Sequence, residues 1–157
     1  MRTRRLGLSV ILLSVAAAAP YAQAQKPPPP PPPAAAVKNV SVTVNYTGKG
    51  AVDAGHAILV FLFTDPNIGA QSQPLGGPQV IQKNGGTVTF KDVSANPVYV
   101  AVLYNEKGDY NGVGGPPPAG TPMGIYAKDP KSPAAPVTPG PKTTIKMSFS
   151  DAKRFGG

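Results

Sequence analysis

Apolar and polar positions alternate along much of this chain with a period of two, and no stretch sustains a period of 3.6. Val40, Val42, Val44 and Tyr46 alternate with Ser41, Thr43 and Asn45, which predicts a strand with one wet face. His56 to Phe63, HAILVFLF, is apolar on both faces and predicts a second strand, ended by Asp65-Pro66-Asn67. A Gly- and Pro-rich connection, Ile68 to Pro78, leads to a short strand around Gln79 to Gln82. Asn84-Gly85-Gly86 is a hairpin signal, from which Thr87 to Val93 returns with Val88 and Phe90 inward.

Val98 to Tyr104 is apolar on both alternating faces, so it belongs in the middle of a packed sheet. The following stretch, Asn105 to Gly124, holds six glycines and four prolines, which block both helix and strand. A loop of that length is functional or disordered in most domains. Met123 to Ala127 reads as a further short strand, Asp129 to Pro141 as a proline-rich connection, and Thr143 to Phe149 as a closing strand with Ile145, Met147 and Phe149 inward. Six or seven short strands separated by turn signals predict an all-β fold, a single Greek-key β-sandwich, with a small barrel as the alternative. Two strands apolar on both faces exceed what a two-layer sandwich needs. Their outer faces are covered by long loops or offered to a partner.

The N-terminus reads differently. Met1 to Arg5 is basic, Leu6 to Ala19 is an apolar run of about 14 residues, and Ala22-Gln23-Ala24 has the small-x-small form of a cleavage site. This pattern predicts a signal peptide over 1–24, and its apolar run falls short of the ~20 residues that span a bilayer. Cleavage leaves a chain that is not an integral membrane protein, periplasmic or secreted. Residues 25–36 follow as a Pro/Ala-rich linker with seven consecutive prolines, Pro27 to Pro33, a polyproline II spacer of about 22 Å at ~3.1 Å per residue. Residues 37–155 are one domain's worth.

Loss of Arg2, Arg4 and Arg5 from the 15 basic residues leaves 12 against 7 acidic ones, so the formal charge falls from +8 to +5. The remaining positive charges are scattered and Arg154 is the last arginine, which argues against nucleic acid as a partner. There is no Cys, so thiol chemistry and disulfides are excluded. The lone histidine, His56, supplies no ordinary metal site and reads as structural. No Gly-x-Ser-x-Gly elbow or Cys-His pairing is present, so the reading is non-enzymatic.

The most specific local pattern is Asn105-Glu106-Lys107-Gly108-Asp109-Tyr110-Asn111-Gly112. Oxygen-bearing side chains at alternating positions among glycines suit a hard cation, which makes Asn105, Asp109 and Asn111 a candidate calcium set. A plain turn capped by Asp109 and Asn111 is the competing account. Tyr104, Glu106, Tyr110 and Tyr126 complete the candidate binding loop, where the tyrosines with Pro116 to Pro118 form an aromatic and prolyl surface.

The order Tyr99 to Tyr104, Asn105 to Asn111, Gly115-Pro116, Gly120 and Met123-Gly124-Ile125-Tyr126 resembles a family of exported bacterial β-sandwiches related to transthyretin-like (prealbumin-like) and carboxypeptidase-regulatory-like domains. The resemblance spans Val37 to Phe149 loosely and Pro97 to Tyr126 best. Asn105 stands where the family has a leading acidic residue, and Lys107 where it has an amide. The resemblance implies an Ig/prealbumin-like fold and a non-catalytic accessory or binding module. With the leader and the spacer, the reading is a module that binds another protein, a cell-envelope polymer or a small ligand through the 105–124 loop. It does not imply transthyretin-like hydrolysis, which uses several His and Arg residues and a Tyr-Arg-Gly-Ser tail where this chain has Arg154-Phe155-Gly156-Gly157. A hydrolase using His56 with Asp109, and an inert structural envelope component, are the alternatives.

Overall fold

A computed structural model describes residues 36–156 other than Pro130. The expected signal peptide and residues 25–35 of the linker lie outside the described residues. Seven strands form: β1 (Val40–Tyr46), β2 (Ile58–Phe63), β3 (Gln79–Ile81), β4 (Thr87–Phe90), β5 (Tyr99–Tyr104), β6 (Met123–Ile125) and β7 (Thr144–Phe149). No helix is present among the described residues, and none is therefore long and apolar enough to cross a membrane. The strands make two sheets, a three-stranded one in the order β4-β1-β7 and a four-stranded one in the order β3-β2-β5-β6. β1 and β7 run parallel, and the other neighbours run antiparallel.

The two sheets share one core, as in a β-sandwich. Val40, Val42, Val44 and Tyr46 of β1 and Ile145, Met147 and Phe149 of β7 meet Ile58, Val60 and Leu62 of β2 and Val100, Val102 and Tyr104 of β5. Register follows from this alternation. A slip of one residue in β1 would bring Ser41, Thr43 and Asn45 inward and forfeit about 1.5–3 kcal/mol for each aliphatic residue expelled. At one end of the core Tyr46 stacks on Tyr104 with ring centroids 4.3 Å apart and leans on Phe149 at 5.0 Å. Tyr46 Oη donates to Asp151, whose other carboxylate oxygen accepts the Lys49 N–H at 2.9 Å.

β2 and β5 are central, each flanked on both sides, and both of their faces are buried. Leu59, Phe61, Phe63, Ala101, Leu103 and Met123 form a second cluster on the outer face of the four-stranded sheet. Long loops lie over that face, as one of the two sequence alternatives had it.

Three expectations need correction. The Asn84-Gly85-Gly86 turn does not join a two-stranded hairpin: β3 pairs with β2 and β4 pairs with β1, in different sheets. The turn is claimed by β1 instead. Asn84 Oδ1 accepts the Tyr46 N–H at 2.7 Å, Asn84 Nδ2 donates to the Tyr46 carbonyl at 2.7 Å, and Gly85 and Gly86 exchange backbone bonds with Val44. Next, His56 does not open β2. It sits in an exposed turn held by Asp53, whose Oδ1 accepts the N–H groups of Gly55 and His56. Finally, the long loop after β5 ends at Pro122, because Gly124 is a strand residue. A Cβ at Gly124 would come within 2.6 Å of Phe149 Cβ, so its bare backbone is what lets β6 lie against β7's last side chain.

Candidate functional site

The outer face of the four-stranded sheet carries the candidate site. Strand alternation aims Phe61 and Phe63 of β2 and Ala101 and Leu103 of β5 away from the shared core. Two loops rise over them. The first, residues 64–78, is pinned at Leu75, whose N–H donates to the Leu62 carbonyl at 2.7 Å, and braced internally where Ser72 Oγ accepts the Gly69 N–H and donates to the Asn67 carbonyl. The second, residues 105–122, is braced by Tyr110, which packs on the outer cluster and donates its hydroxyl to the Gly115 carbonyl at 2.8 Å. The loops meet at Gly112. A Cβ there would lie 2.6 Å from Pro78 Cγ and 3.0 Å from Phe61 Cζ, which only glycine avoids.

The C-terminal segment closes the arrangement. Gly120 N–H donates to the Phe155 carbonyl, Phe155 N–H to the Thr121 carbonyl and Met123 N–H to the Lys153 carbonyl, all at 2.8–2.9 Å. These bonds cover the free edge of β6 and lay Phe155 against the outer cluster. Arg154 secures the same strap from outside by donating to the Gly120 carbonyl and to Glu106 Oε2 at 3.0 Å.

Between the loops is a hollow of about 360 Å³. Its floor is Phe61, Phe63, Leu103, Met123 and Phe155, and its walls are the glycine- and proline-rich stretches 68–78 and 112–117 with Tyr110. Among the described residues no acidic residue, lysine, arginine or histidine lines it. The one titratable group among its described lining residues is the Tyr110 phenol, whose pKa burial raises, so that lining is uncharged at neutral pH. Bonding potential comes from bare glycine backbone and the exposed Gln73 amide.

The structure divides the sequence-predicted site residues. Tyr110 lines the hollow together with Pro116 and Pro117. Tyr104 and Tyr126 turn the other way, into the core shared by the two sheets, where Tyr104 donates its hydroxyl to the Ala51 carbonyl. Asn105 Oδ1 accepts the Tyr110 N–H at 3.2 Å and Asn111 Oδ1 accepts the Val113 N–H at 3.0 Å, so both amides cap their own loop. Glu106 is engaged by Arg154. Asn105, Glu106 and Asp109 share a second, polar hollow with Lys107 and Arg154, where the two positive charges oppose the two negative ones. No group of three or more His, Asp and Glu side chains able to hold a metal occurs among the described residues. His56 Nδ1 lies 3.1 Å from Asp53 Oδ1, which keeps its ring on its own turn.

Sequence reasoning missed Phe61, Phe63, Met123 and Phe155 as site residues. For Phe61 and Phe63 the signal was present in the surplus apolar face of β2; Met123 and Phe155 reach the site only through the pairing of β6 and the C-terminal strap. Searches of the chain against protein-family models, curated proteins and solved structures returned no match.

Proposed function

We propose that the chain is an exported, non-enzymatic binding module of the bacterial cell envelope, a Greek-key sandwich that holds its ligand between the 64–78 and 105–122 loops. One observation carries this reading: the uncharged hollow with an apolar floor, of a size typical of small-molecule sites. A sheet face left unneeded by the core is instead built into a walled groove. The long loop after β5 serves as one wall, so binding through it, as read from the sequence, becomes binding beside it. Export rests on the leader-like N-terminus.

Gly77 provides the test. It lines the hollow, lacks a positive φ, and an added Cβ would meet nothing within 4 Å. Gly77→Leu is therefore expected to fill the groove without disturbing the fold. We expect the neutral fluorophore N-phenyl-1-naphthylamine to bind the wild-type chain saturably, and Gly77→Leu to weaken it at least tenfold with an unchanged melting temperature. Saturable binding equal in both chains would place the ligand elsewhere, and none in either would leave an inert structural component.

A further inference from the structure

We infer that the groove selects an uncharged, flat aromatic molecule bearing an oxygen acceptor; this rests on the binding-module reading and names its ligand class. Three features of the groove converge on that chemistry.

The first is the floor. Phe61 and Phe63 of β2 and Phe155 of the C-terminal strap belong to it, and Tyr110 of the second loop stands beside it in the wall. The rings of Phe61 and Phe63 stand 6.3 Å apart and tilted by 35°. Met123 adds a thioether to the same floor. Aromatic rings pack favourably in offset or edge-to-face contact with other rings, and sulfur favours the ring edge, so this floor rewards an aromatic guest beyond the area it buries.

The second is charge. The full chain has a formal net charge of +8, yet among the described residues no ionised side chain lines the groove. An ionic guest would surrender its hydration there with no counter-charge to replace it, whereas a neutral one surrenders little.

The third is the rim. Gly76 and Gly77 on one side and Gly114 and Gly115 on the other lie where an added Cβ would meet no atom within 4 Å. The space beside these four α-carbons is thus open on both walls. Among the described residues none of these four N–H groups donates a hydrogen bond to the protein. Gly77 does not need to be glycine for its backbone conformation, since its φ lies outside the left-handed region. A guest with a carbonyl or ether oxygen can accept from such donors in place of water.

Matched naphthalenes test this on the purified chain by displacement of N-phenyl-1-naphthylamine. We expect 2-acetylnaphthalene to bind at least tenfold more tightly than 2-naphthoate and 2-naphthylmethylammonium, more tightly than naphthalene, and more tightly than the non-aromatic bicyclic ketone 2-acetyldecalin. Gly77→Leu should weaken 2-acetylnaphthalene at the same melting temperature. Binding of either ion, of naphthalene or of 2-acetyldecalin as tight as that of 2-acetylnaphthalene would overturn the ligand class while leaving the groove a binding site. An extended proline-rich peptide that displaces the probe where the ketone does not would also overturn it. Saturable binding of none of them, the probe included, would overturn the binding-module reading beneath it.

Discussion

Single residues around Tyr46 and Phe149 set the sandwich's tolerance to change. Gly124 faces Phe149 Cβ at 2.6 Å and Val102 Cγ2 at 3.1 Å from where a Cβ would stand, and the first of these belongs to a buried strand residue that cannot swing aside. Gly124→Ala should therefore cost about 1–3 kcal/mol as overpacking, read as a lower urea midpoint. Asp151 acts through charge. Its pKa is lowered from 3.8, first by the Lys49 N–H and then by the Tyr46 hydroxyl, against the smaller opposing effect of burial. A depressed folded pKa means that this carboxylate stabilises the fold above its unfolded value and ceases to do so as pH falls through the folded one. Wild type should thus exceed Asp151→Asn in stability at pH 7, and the gap should shrink below about pH 4. Unfolding midpoints of both chains from pH 7 to pH 2.5 measure it; a gap that stays constant would count against this role.

Elements were legible where burial makes a local pattern. All seven strands fall within stretches read as strands: β3 between turn signals, the others by alternation or double-faced apolarity, because a strand between two layers must be apolar on alternate residues and a central, covered one on all of them. Partner choice was not legible. Asn-Gly-Gly normally closes a hairpin, but Asn84 imitates a backbone unit and bonds β1 at Tyr46, beyond the last β1–β4 pair at Thr43, so the turn passes the chain from one sheet to the other. Asn84→Ala would leave the Tyr46 N–H and carbonyl without these partners, at an expected cost of about 1–3 kcal/mol in chemical unfolding. The proline-rich connection after β6 likewise looked free in sequence. It is fastened by bridges at Ala127–Ala134, Val98–Val137 and Asn39–Gly140, and Ala135 and Val137 are buried.

At the scale of the molecule, the sequence by itself determined the fold class, the strand positions and the existence of an apolar face that the shared core does not use. These are consequences of periodicity, which each segment carries in its own residues. It also located the loop after β5 and the aromatic Tyr110 within it. Only the tertiary structure decided which sheet each strand joined and which way each loop residue turned. Tyr104 and Tyr126 went to the core and Tyr110 to the groove, a division set by strand parity and by loop contacts between residues far apart in the chain. The groove itself is a non-local object: its floor draws on residues from Phe61 to Phe155, and its walls meet where Gly112 passes Pro78. No local pattern encodes such a cavity, because its shape depends on how two loops and a C-terminal strap settle over a sheet that must first be assembled.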